Sequence, residues 1–88
     1  SEYKPKVKKA RVNRELVLVG MRIEEAMPLL EKYLDDAYAA KMTSVRIVHG
    51  IGTGRLKMAV HDKLKKLSFV KKVYQKGRFS YMLLLDEG

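Results

Sequence analysis

Apolar residues in this chain fall into short continuous runs and helical stripes, punctuated by glycine and by charged turns. Leu16-Val17-Leu18-Val19 is a continuous apolar run closed by Gly20, the pattern of a strand buried on both faces. From about Glu24 to Lys41 the spacing turns helical, with Ala26, Leu30, Tyr33 and Ala37 on one stripe and acids on the opposite side. Pro28 leaves two options for the start of this helix. With an N-cap near Glu25 the proline lies in the first turn, where its missing N–H costs nothing; an earlier start predicts a small kink. Thr43-Ser44 ends the pattern and Val45–Val48 reads as a second strand. Leu56, Val60, Leu64 and Leu67 then form the stripe of a second helix whose outer face carries Lys57, Asp62, Lys65 and Lys66. Val70–Gln75 alternates loosely as a third strand, Lys76-Gly77-Arg78 turns the chain, and Ser80–Leu85 is a fourth strand.

The order βαβαββ predicts an α/β fold, a two-layer sandwich in which a four-stranded mixed sheet carries both helices on one face. The first two strands are expected parallel, joined by a right-handed crossover, and the last two antiparallel. Ligands of such open sheets collect beyond the carboxyl ends of parallel strands. Gly20 to Arg22 and His49 to Arg55 are both expected there. Residues 1–14 hold six basic residues and little apolar material, and read as a flexible basic arm or the end of a linker; residues 15–86 form the domain.

Between the second strand and the second helix stands His49-Gly50-Ile51-Gly52-Thr53-Gly54-Arg55-Leu56-Lys57. Glycines in a strand-to-helix turn let the backbone approach a ligand closely, and the N–H groups and dipole of the following helix favour an anion. The spacing is neither that of a P-loop nor that of the dinucleotide fingerprint, and a plain tight connection is the competing explanation. Charge sharpens the choice. The chain has 19 Lys+Arg against 10 Asp+Glu, net +9. Residues 23–41 hold five acids and two lysines, whereas residues 42–85 hold ten basic residues and one acid, Asp62. A polyanionic partner fits this asymmetry, nucleic acid better than membrane, since the chain shows no long cationic amphipathic helix or lipidation signal. Lys71, Lys72, Lys76 and Arg78 extend the basic surface.

With no cysteine, disulfides, thiolate metal sites and cysteine nucleophiles are excluded. At 88 residues the chain makes one small domain without room for a deep substrate cavity. No signal peptide and no apolar run near the ~18 residues of a membrane span is seen, which sets the expectation of a cytoplasmic protein. An N-terminal serine in place of methionine points to a processed terminus or a piece of something larger.

The segments Gly20-Met21-Arg22-Ile23-Glu24-Glu25-Ala26, Tyr33-Leu34-Asp35-Asp36-Ala37 and Val45-Arg46-Ile47-Val48-His49-Gly50-Ile51-Gly52-Thr53-Gly54 with Leu56 resemble the small MutS-related (Smr) domain family over about residues 15–86. They are most similar to the version carried at the C-terminus of bacterial MutS-related ATPases that lack a mismatch-recognition domain. The resemblance implies a fold akin to the C-terminal domain of translation initiation factor three, and binding of DNA, or of RNA or the ribosome. It also implies nicking endonuclease activity in many members, and a covalent place in a larger ATPase acting in recombination control or the rescue of collided ribosomes. The family's LDLRG or LDxHG motif reads Leu16-Val17-Leu18-Val19-Gly20 here, so its acid and its cation are both replaced by valine.

Phosphodiester hydrolysis needs an activated water, stabilisation of developing charge and a proton for the leaving oxygen. His49 and Glu24 are the catalytic candidates, the first as acid or base and the second, or its neighbour Glu25, to position water. Glu24 and Glu25 are equally placed to complement a helix dipole, and His49 to order the glycine loop. Arg22, Gly50, Gly52, Gly54, Arg55 and Lys57 are the nucleic-acid-binding candidates, with Arg22 standing in for the cation absent at Val19. No protein metal site is expected, because His49 and His61 are twelve apart and no acidic triad accompanies them; a divalent cation held by phosphate and water is compatible. Thr53 and Ser80 lack an activating context for nucleophilic catalysis. Tyr38, Tyr74, Phe79 and Tyr81 either stack on bases or pack in the core. Two alternatives stand beside the nuclease: a non-catalytic DNA-, RNA- or ribosome-binding module, and a protein-interaction domain using the acidic first helix, with Asp35 and Asp36, to meet a basic partner. The isolated domain is expected to be monomeric.

Overall fold

The computed structural model describes residues 12–87. They run β1 (Glu15–Val17), α1 (Ile23–Ala39), β2 (Ser44–Val48), α2 (Arg55–Lys65), β3 (Val70–Lys76) and β4 (Ser80–Leu85). The order is βαβαββ, as the hydrophobic pattern predicts. One four-stranded sheet has the spatial order β1-β2-β4-β3. β1 pairs parallel with β2, setting Leu16 opposite Ile47, while β4 runs antiparallel to both β2 and β3.

A single core joins sheet and helices. Leu18, Val45, Ile47, Tyr81, Leu83 and Leu85 meet Ala26, Leu30, Leu34 and Ala37 of α1 and Val60 and Leu64 of α2. Because both helices cover one face, the other face stays open, and this corrects the expectation of a first strand buried on both sides. Leu18 is fully buried, but Val17 is 50% and Val19 56% exposed. β1 is also an edge strand and only three residues long.

The first helix starts at Ile23, one residue before its sequence-based limit, with Arg22 as N-cap. Pro28 therefore lies in the second turn, and the Glu24 carbonyl loses the i+4 donor that any other residue would supply. The buried stripe is Ala26, Leu30, Leu34 and Ala37. Leu34 takes the place assigned to Tyr33, because the tyrosine hydroxyl needs a polar partner. Tyr33 sits at the margin of the core and donates to the Asn13 carbonyl. The helix ends at Ala39, and the chain reverses through Lys41 at φ +62°, its N–H donating to Tyr38. An ion pair between Glu31 and Lys63 ties α1 to α2.

Of the segment read as a basic arm, residues 1–11 lie outside the described residues. Val12 packs against the core, and the Arg14 carbonyl accepts the Arg46 N–H at 2.9 Å. Among the described residues no helix is long and apolar enough to cross a membrane.

Burial, helped by the Glu15 charge, pushes the Tyr33 hydroxyl up to about 12. The neutral phenol is thus favoured in the folded state, and its contribution is complete below pH 10 and lost as pH rises through about 12. Urea titrations across that window should show stability falling with pH. Tyr33→Phe should make the decline shallower, with the remainder coming from Tyr81, which burial also shifts upward.

Candidate functional site

Parallel pairing brings the carboxyl ends of β1 and β2 to the same edge, and the loops that follow them line one cleft. Its walls are Val19 to Glu24 from the first crossover and His49 to Leu56 from the glycine loop and the start of α2, around a volume of about 450 Å³. The structure thus brings together Arg22, Glu24, His49, Gly50, Gly52, Gly54 and Arg55. Lys57 stands apart, partly buried on α2 outside the lining.

The glycine loop is held from below by β4. His49 and Gly50 both donate their N–H groups to the Phe79 carbonyl, at 2.8 and 3.0 Å. Gly50, Gly52 and Gly54 have φ of +80°, +45° and +89°, backbone that side chains with a Cβ rarely adopt. At Gly50 space is short as well, since a Cβ would lie 3.3 Å from both γ carbons of Val19. Val19 therefore packs against the loop.

The two helix starts differ electrostatically. α1 carries Glu24 and Glu25 in its first turn, and Glu25 Oε1 accepts the Arg22 N–H at 3.0 Å. Glu25 is thereby a helix cap, which removes it from the candidates for positioning water. Glu24 approaches Arg22 at 3.9 Å with both side chains largely exposed, so each screens the other. α2 has no acid in its first turn. Its Arg55 N–H is directed to Thr53 Oγ1 at 3.3 Å, while the next two N–H groups have no intrahelical acceptor by helix geometry. The start of α2, flanked by Arg55, is the more electropositive of the two.

His49 is buried, 4% exposed. Its Nδ1 lies 2.6 Å from the Gly50 carbonyl, and since a carbonyl only accepts, Nδ1 carries the hydrogen. Nε2 is buried and unpartnered. The ring rests against Tyr81, centroids 5.0 Å apart, and His61 approaches the same tyrosine from α2 at 5.7 Å. In this arrangement the Nδ1–H ties His49 to the glycine loop while Nε2 is enclosed.

Of the four aromatic candidates, two are packed: Tyr38 stacks on Phe69 at 4.6 Å and Tyr81 lies in the core. Tyr74 is 44% and Phe79 52% exposed. Among the described residues no three His, Cys, Asp or Glu side chains gather into a possible metal site. The Phe79 clamp and the Val19 contact escaped sequence reasoning, because both depend on which strand lies beside β2.

The class these features define is a small open-sheet α/β domain whose parallel strand pair ends in a glycine-lined cleft. The Smr domain family matches residues 16–80, and the chain belongs to it. It is 50% identical over 72 residues to the protein named Endonuclease MutS2 of Lachnoclostridium phytofermentans, covering 82% of this chain and 9% of that protein. Endonuclease MutS2 of Carboxydothermus hydrogenoformans is 52% identical over 65 residues, 74% of this chain and 8% of that protein. The crystal structure of the Smr domain of Thermus thermophilus MutS2 matches with a TM-score of 0.79 at 26% identity, covering 83% of this chain and 98% of that domain. The chain thus spans less than a tenth of the length of these curated relatives.

Gly50→Ala combines backbone strain with the Val19 contact and should cost about 1–3 kcal/mol in urea unfolding. Gly52→Ala, with nothing within 4 Å of its Cβ, carries the backbone part alone. Val19→Ala in the Gly50→Ala background should recover part of the loss.

Proposed function

We propose that the cleft binds the phosphate backbone of nucleic acid, and that the chain is the nucleic-acid-binding domain of a cytoplasmic MutS2-type protein. The observation that carries this reading is the start of α2. Positive-φ glycines expose backbone there, the first turn holds no acid, and Arg55 stands beside it. Arg22 from the facing loop contributes a second cation to the same cleft. Lys57, two residues further along α2, adds long-range attraction. Because the domain is a small part of relatives named for a MutS-type endonuclease, its role in the whole protein is to deliver it to DNA, with RNA or the ribosome as alternative polyanions.

Nicking is the second reading, favoured by His49. Its Nδ1–H is fixed on Gly50, so a neutral ring leaves the lone pair on Nε2, the state required of a general base. Glu24, the carboxylate of the cleft, would position water. Any divalent ion would be held by phosphate oxygens and water together with Glu24. Burial of Nε2 and the valines at 17 and 19 make binding the better-supported activity.

Salt titration of DNA binding tests the first reading. Arg55→Ala should weaken binding across sequences and lower the slope of log K against log salt by about one, and Lys57→Ala by less. Affinity independent of salt would overturn it. For the second reading, supercoiled plasmid should be nicked by the chain and left intact by His49→Ala that still binds; absence of cutting by both leaves the domain a tether.

A further inference from the structure

Backbone binding leaves two exposed aromatics unused, Tyr74 and Phe79, and the second adjoins the glycine loop. Phe79 is 52% exposed in the β3–β4 turn, yet its carbonyl is the acceptor for both His49 and Gly50. The turn that carries the ring is therefore held against the glycine loop that forms the cleft. Ile51 and Val19, 51% and 56% exposed, give that loop an apolar margin. Lys76 and Arg78 stand exposed in or beside the same turn, and no acid occurs between Lys63 and Leu85.

An exposed phenyl ring near cations, on a turn that adjoins an anion site, calls for a ligand that joins a flat apolar face to a negative charge. Bases inside a duplex keep their faces stacked on each other; an unpaired base offers its face freely. We propose that Phe79 stacks on an unpaired base while the adjoining phosphate occupies the cleft, so that the domain prefers nucleic acid with a single-stranded stretch over intact duplex. This inference rests on the phosphate-binding reading and adds to it the class of substrate.

Tryptophan is absent from the chain, so Phe79→Trp places a single fluorescent reporter at the site. A short oligothymidylate should quench that fluorescence, and a blunt duplex should not. Phe79→Ala keeps the clamping carbonyl, which a circular dichroism melt would verify. It should lose about tenfold in affinity for the oligothymidylate with duplex binding unchanged, as measured by anisotropy of labelled strands. Unquenched Phe79→Trp with the oligothymidylate bound, or equal loss by Phe79→Ala on both forms, would overturn the proposal and leave the patch to a protein partner. Arg55→Ala separates the two readings. Loss of both nucleic acids supports the cleft; retention of both, with Phe79→Ala still losing affinity for the single strand alone, removes the cleft and keeps the stacking. If neither form binds the unmodified chain, both readings fall.

Discussion

Parallel pairing of β1 with β2 is the constraint from which the site follows. With Val17 opposite Val48, and Leu18 N–H donating to the Val48 carbonyl at 2.8 Å, both strands end at the same edge of the sheet. A helix follows each strand, so both helices begin at that edge, with their unpaired first-turn donors facing a shared cleft. An antiparallel pair would have sent the two loops to opposite ends. β4, on the other side of β2, then brings the Phe79 carbonyl under the glycine loop and holds it to the sheet.

Charge makes the two walls of this cleft unequal. The start of α1 is compensated by its own glutamates, one of them spent on the Arg22 N–H. The start of α2 is uncompensated and gains Arg55. An anion would settle on the glycine-loop side, where full and partial positive charges add. Val19 gives the opposite wall an apolar side chain, which packs on Gly50.

Much of this was legible along the chain. Six elements appear where periodicity places them, because each amphipathic segment has one way to bury its apolar positions. The convergence of Gly20–Arg22 with His49–Arg55 was also legible, since a βαβ unit puts both loops at the carboxyl edge. The misses have local causes. Leu16 to Val19 looks like a two-sided core strand, yet the sheet has helices on one face only, leaving Val17 and Val19 half-exposed. Tyr33 falls on the apolar stripe by spacing, but its hydroxyl draws it to the margin and Leu34 fills the core.

By itself, then, the sequence determined the elements, their order, the basic character of the second half and the glycine-rich connection that precedes the second helix. These depend on local spacing, backbone freedom and formal charge. Only the tertiary structure decided that Glu25 caps a helix, that His49 is buried with Nδ1 on Gly50, and that Phe79 joins the loop through its carbonyl. Hydrogen bonds and burial of this kind depend on which strands and loops become neighbours in space, and spacing along the chain carries no distance between them.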